Sequence, residues 1–129
     1  MKLLCIEDER ETAALIAEEF SEQGYEVALA FDGEAGLAAI LELQPDLVLC
    51  DIMMPTSGFE VLNRLIERAP ELRRRMLFIF VSAFDDSDIQ SRARRMGADL
   101  YLVKPIDFEI LATFLSRHTR CGSSLSSVG

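Results

Sequence analysis

Short apolar runs alternate with helical patterns along the chain, and this alternation sets the fold class before any motif is considered. Residues 3–6, 26–30, 46–50, 76–81 and 100–103 read as five strands; several are apolar throughout, as strands covered on both faces are. Between the first two, Ala13, Ile16, Ala17 and Phe20 recur at i, i+3, i+4 and i+7, predicting an amphipathic helix that stops at Gly24. Leu37, Ile40 and Leu41 mark a second helix, entered through Asp32-Gly33 and closed before Pro45. A third runs from Phe59 to Ala69 and ends at Pro70, with Val61, Leu62, Leu65 and Ile66 on its buried side. The triplet Arg73-Arg74-Arg75 reads as a solvated connection from that helix to the next strand. A fourth helix begins at Asp86 or Ser87, carries Ile89, Ala93 and Met96 inward and stops at Gly97. Asp107 opens a fifth, which buries Phe108, Ile110, Leu111, Phe114 and Leu115. Beyond His118 the periodicity is lost, and Thr119 to Gly129, rich in Ser and Gly, reads as a flexible tail or a truncated linker.

Five repeats of strand then helix imply right-handed crossovers, and hence an α/β, doubly wound, parallel five-stranded sheet with five helices on its two faces. Residues 1–118 form this single domain. In such sheets ligands bind at the carboxyl ends of the strands, where strand order reverses.

A length of 129 residues leaves no room for a second domain of ordinary size, and 50% apolar residues suffice for a continuous core. The formal charge of −9 repels phosphate backbones, so direct nucleic-acid binding is not expected; a metal ion or a basic partner surface fits better. No apolar run approaches a membrane span and no signal-peptide pattern opens the chain, so the expected compartment is the cytosol. Cys5 and Cys50 each lie in an apolar run and read as small buried residues, whereas Cys121 falls in the tail; their spacing matches no zinc motif. The single histidine, His118, stands at the end of the last helix and reads as a cation near a helix C-terminus, which excludes a histidine-based catalytic site.

The chemistry collects at the strand ends. Glu7-Asp8-Glu9 follow the first strand, Asp51 the third, Ser82 the fourth, and Lys104-Pro105 the fifth. On one rim these form a pocket of at least three carboxylates, a hydroxyl and an ammonium group, an arrangement that repels itself unless a cation joins it. Oxygen ligands suit Mg²⁺, whereas zinc would want His or Cys. Lys104, one of two lysines in the chain, can reach a phosphoryl oxygen as a point charge on a flexible stem. Glu9 reads as a surface charge or a helix N-terminal residue.

Taken together, Glu7-Asp8, Asp51-Ile-Met-Met-Pro55, Ser82-Ala83 and Gly97-Ala-Asp-Leu-Tyr-Leu-Val-Lys104-Pro105 resemble the receiver domain of two-component response regulators over residues 2–118. The resemblance implies a flavodoxin-like strand order of 2-1-3-4-5. It also implies that Asp51 is the phosphoacceptor and that Mg²⁺ is held by Glu7, Asp8, Asp51 and the backbone carbonyl of Met53. Lys104, Ser82 and Ala83 would contact the phosphoryl group, Ser82 and Tyr101 would form a switch pair, and Met53 and Phe84 would modulate the lifetime of the phosphorylated state. Glu7 stands where the family usually has Asp, and Pro55-Thr-Ser-Gly58 is one residue shorter than the usual Pro-x-x-Asp-Gly loop.

The expected function is a phosphorylation switch and not an enzyme acting on a separate substrate. A sensor histidine kinase or a histidine phosphotransfer protein would donate the phosphoryl group. The surface of the fourth helix, fifth strand and fifth helix would then change its preference for an output partner or for a second copy of the chain. With no effector domain in 129 residues, the chain reads as a single-domain regulator or a receiver cut from a longer protein. An aspartate-nucleophile phosphohydrolase would carry Asp-x-Asp after the first strand, where this chain has Glu7-Asp8-Glu9. A nucleotide-binding module would need a Gly-rich loop, and no strand is followed by one. A degenerate receiver acting only as an interaction module would lack part of the acceptor set, which is complete here.

Overall fold

The alternating pattern folds as an interleaved series of parallel strands and covering helices. The computed structural model describes residues 1–127, with side chains described through His118. In chain order the elements are β1 (Lys2–Ile6), α1 (Arg10–Glu22), β2 (Glu26–Ala30), α2 (Gly33–Leu43), β3 (Leu47–Asp51), α3 (Gly58–Arg68), α4 (Pro70–Arg74), β4 (Leu77–Ser82), α5 (Ser87–Arg95), β5 (Leu100–Val103) and α6 (Phe108–Ser127). The strands form one parallel sheet in the order β2-β1-β3-β4-β5. Every β3 residue is buried, which is why that strand tolerates no polar position before Asp51.

Side chains alternate across the sheet and build two core layers. Ile6, Val48, Cys50, Phe78 and Phe80 pack with Leu37, Ile40, Leu62, Leu65 and Ala93, so α2, α3 and α5 cover one face. Leu3, Cys5, Leu47, Leu49, Ile79 and Val81 pack with Ile16, Phe20, Leu111 and Leu115, so α1 and α6 cover the other.

Four details differ from the sequence reading. Among the described residues six helices are present instead of five, because Pro70 opens α4 where it was expected only to close the preceding helix; proline suits the first helical position, whose N–H needs no partner. Arg73 is not a solvated linker charge. Its guanidinium bonds the carbonyl oxygens of Gly97 (2.5 Å) and Met76 (3.1 Å), pairs with Asp99 (3.3 Å) and lies over the Phe78 ring. Ile66 and Ile110, expected inside, are 37% and 56% exposed, since each falls at the edge of its helix's apolar stripe. The backbone of α6 continues to Ser127, so His118 lies inside a helix; its ring stacks on Phe114, and Nδ1 lies 2.8 Å from the Phe114 carbonyl oxygen. Cys5 and Cys50 are buried as expected, while Cys121 and the side chains of the Ser-rich segment lie outside the described residues. Among the described residues no helix is long and apolar enough to cross a membrane.

Candidate functional site

The strand ladders extend one step past the strands and fix the site residues. Glu7 N–H donates to the Ala30 carbonyl (2.9 Å), and Lys104 N–H donates to the Ser82 carbonyl (2.8 Å), so both backbones are held in register with their neighbours. Asp51 and Ser82 are the last residues of β3 and β4, one position beyond the strand ends expected from sequence. Their burial is the consequence: Asp51 is 5% and Ser82 0% exposed, and Glu7 is 2% exposed.

Three side chains meet at this rim. Lys104 Nζ lies 2.8 Å from Glu7 Oε1 and 3.4 Å from Asp51 Oδ2, bridging two buried carboxylates. The other Glu7 oxygen accepts from Glu9 N–H (3.1 Å), and Asp51 Oδ1 accepts from Met53 N–H (3.3 Å). Asp8 is exposed beside them, and Glu7, Asp8 and Asp51 each place one carboxylate oxygen within 4.8 Å of the others. Burial, followed by the charge of Glu7, pushes the Asp51 carboxyl up to about 6, against the opposing pull of Lys104 and the Met53 N–H. Burial works against the charge on Lys104, but its bonds to Glu7 and the charges of Asp51 and Glu7 outweigh this, and its pKa is raised.

The switch candidates are linked through one residue. Ser82 Oγ accepts from Phe84 N–H (3.1 Å), and the Tyr101 hydroxyl donates to the Phe84 carbonyl (2.7 Å). Tyr101 is half-buried against the core layer of α2, α3 and α5. Ala83 is exposed at the end of β4, and Met53 and Phe84, at 56% and 45% exposed, stand two residues beyond Asp51 and Ser82. Glu9 is the N-cap residue of α1 and accepts from Thr12 Oγ1, which agrees with its reading as a helix N-terminal residue.

Sequence reasoning passed over two neighbours. Ser57 caps α3 by accepting from Glu60 N–H, so the shortened loop keeps a helix cap; the Ser-x-x-Glu spacing carried that signal. Gly58 packs its backbone so closely on the Asp51 carbonyl that a Cβ would overlap it. Only tertiary contact reveals that constraint.

The comparisons with known proteins agree with this geometry. Residues 3–116 match the family model of the response regulator receiver domain. The chain is 39% identical over 124 residues, 95% of its length and 54% of the relative's, to the transcriptional regulatory protein DltR of Streptococcus agalactiae. It is 31% identical to the transcriptional regulatory protein PcoR of Escherichia coli, over 98% of this chain and 55% of PcoR. The chain thus spans about half the length of the curated relatives it matches. Among solved structures, the BeF3-activated receiver domain of Klebsiella pneumoniae RstA superposes with a TM-score of 0.82 at 26% identity, covering 93% of this chain and 99% of that one. Thermotoga maritima TrrA in complex with Mg(2+)-BeF superposes with a TM-score of 0.74 at 32% identity, covering 90% and 96%. With the strand order, the acidic rim and the matched residues in agreement, the chain belongs to the receiver-domain family of two-component response regulators.

Proposed function

We propose that this domain accepts a phosphoryl group on Asp51 from a histidine kinase or a histidine phosphotransfer protein, in a Mg²⁺-dependent reaction. The observation that carries the reading is the buried Asp51 carboxylate, set among Glu7, Asp8 and the Lys104 ammonium. The donor set fits Mg²⁺, being hard oxygens with no thiol or imidazole in the cluster. Glu7, Asp8, Asp51 and the Met53 carbonyl would hold the ion, whose chemistry is to offset the negative charge of the carboxylates and the phosphoryl oxygens.

An oxygen of Asp51 attacks phosphorus, the bond from phosphorus to the donor's imidazole nitrogen breaks, and that nitrogen keeps the electron pair. Lys104 already spans Glu7 and Asp51, and it stays beside the acceptor as charge builds on the phosphoryl oxygens. Ser82, with the adjacent Ala83 backbone, then bonds the phosphoryl group, and Ser82 gives up the Phe84 N–H. Tyr101 leaves the Phe84 carbonyl and turns inward. Phosphate favours this arrangement only through tighter contacts in one of two states, so the effect is a shift of populations. The α5, β5 and α6 surface carries the output, to a partner or to a second phosphorylated copy. The DltR and PcoR relatives are named transcriptional regulatory proteins, which supports an output in transcription exerted outside this chain.

Intact-mass measurement after incubation with acetyl phosphate and Mg²⁺ tests the assignment. Wild type and Asp46→Asn gain one phosphoryl mass, and Asp51→Asn does not. Asp46 precedes the same strand at its other end, where Oδ2 accepts from Lys2 N–H, so it controls for loss of a β3 carboxylate. Equal gain in Asp51→Asn overturns the reading.

A further inference from the structure

The end of the sheet opposite the phosphoacceptor is divided by charge. Backbone bonds from Glu26 N–H to Met1, Asp46 N–H to Lys2, Leu77 N–H to Asp46 and Asp99 N–H to Phe78 run along this edge in strand order. The starts of the strands and the last turns of α1, α2, α3 and α5 therefore share one surface. On the β2 side lie Glu18, Glu19 and Glu22 near the end of α1, Glu26 at the start of β2, and Glu42 at the end of α2. On the β4 and β5 side lie Arg68 at the end of α3, Arg75 after α4, and Arg94 and Arg95 at the end of α5. Arg73 joins this second group into one patch through its bond to Gly97.

Within the basic half Arg73 pairs with Asp99 and Arg74 with Glu71, but most of the charges in both halves have no such partner among the described residues. Arg68, Arg75, Arg94 and Arg95 make no ion pair among the described residues, and neither do Glu18, Glu22, Glu26 and Glu42. Glu67, Glu71 and Asp99 are the minority charges of the basic half and Lys2 that of the acidic half, with Asp46 between them. Local stability accounts for the arginines, because the partial negative charge at a helix C-terminus attracts cations. It does not account for the acids. Both α1 and α2 lack a basic residue in the last turn and place Glu19, Glu22 and Glu42 there, against the helix dipole.

We infer that this end is an isologous interface between two copies of the unphosphorylated chain, the acidic α1, β2 and α2 half of each facing the basic α3, α4 and α5 half of the other. A two-fold axis satisfies both halves at once, since the contact each copy gives is the contact it receives. A nucleic acid would be attracted by one half and repelled by the other. A second copy is the occupant whose charge pattern offsets both. Exposed Met1 and Leu43 on the acidic side and Ile66 on the basic side supply apolar contact, and a groove of about 180 Å³ lined by Lys2, Glu26, Leu43 and Pro45 opens beside them. The phosphoacceptor rim, at the other end of the strands, stays open in such a pair.

Sedimentation of the unphosphorylated chain tests this. At about 0.05 M salt the protein forms a concentration-dependent dimer, and about 0.5 M salt weakens it on the order of tenfold by screening exposed charges. Glu22→Lys/Glu26→Lys/Glu42→Lys and Arg75→Glu/Arg94→Glu/Arg95→Glu are each monomeric alone, and an equimolar mixture of the two restores a dimer. Far-UV circular dichroism checks the fold of each variant; where a triple variant is unfolded, Glu26→Lys and Arg95→Glu carry the same test in smaller steps. A wild type that is monomeric throughout, a dimer that persists in either variant, or a mixture that stays monomeric overturns the inference.

Discussion

The Tyr101 hydroxyl donates a 2.7 Å hydrogen bond to the Phe84 carbonyl and so ties β5 to the loop that follows β4. Phe84 in turn donates its N–H to Ser82 Oγ, so a single residue holds both proposed switch partners. Tyr101→Phe is expected to lower stability by about 0.5–1.5 kcal/mol, the net worth of one such bond, and to speed amide exchange in the loop after Ser82. Urea unfolding and hydrogen exchange measure the two effects. Unchanged exchange would show that the loop is held by other contacts.

Asp51 gives the metal-free protein a pH dependence whose sign follows from its burial. Its folded pKa, pushed up to about 6, lies above the ordinary carboxylate value of 3.8, so protons bind the folded state more tightly. The stabilisation is full below the unfolded pKa and is lost as pH rises through about 6. With metal chelated, the melting temperature of the wild type is therefore expected to fall relative to Asp51→Asn between about pH 4 and pH 7. Parallel curves for the two proteins would contradict this.

Gly58 is placed where a side chain cannot go. The Cβ of Gly58→Ala would overlap the Asp51 carbonyl and crowd the Ile52 Cα, and backbone cannot rotate aside as a side chain tip can. A cost of about 1–3 kcal/mol is expected, together with slower phosphorylation by acetyl phosphate as Asp51 shifts. Denaturant midpoints and mass-based phosphorylation rates check it. A variant of wild-type stability and rate would mean that the loop yields freely.

Met53 and Phe84 flank the rim with exposed apolar side chains, and neither a thioether nor a phenyl ring orients water strongly. Slow spontaneous loss of phosphate is expected, and Met53→Asn with Phe84→Glu should hasten it without abolishing phosphorylation of Asp51. Time-resolved intact mass after removal of acetyl phosphate gives the rate. A double variant that decays like wild type would leave water positioning at these sites without a role.

The parallel strand-helix alternation and the acidic rim were legible because apolar strands ending in Glu7, Asp51, Ser82 and Lys104 announce both periodicity and chemistry within a few residues, whereas the strand order followed only from the family resemblance. What escaped depended on distant partners. The Arg73 clamp needs Gly97 and Asp99, far along the chain, and nothing in the arginine triplet says which of the three turns inward. Pro70 closes one helix pattern and begins another, and the sequence reading used only the first meaning. Ile66 and Ile110 fit an apolar repeat by spacing, yet the width of the buried stripe is set by the sheet beneath each helix.

The two buried thiols sit on adjacent strands, where Ile6 is the register partner of Cys50, yet they belong to opposite core layers. The sheet itself therefore insulates one sulfur from the other, and oxidation cannot staple β1 to β3 at this point. Burial also pushes Cys5 up to about 12 and Cys50 well above its usual value, which keeps both protonated and slow toward alkylating reagents. Each thiol thus becomes a private reporter. Labelling of Cys5 records the lifting of α1 and α6, and labelling of Cys50 records the loosening of α2, α3 and α5.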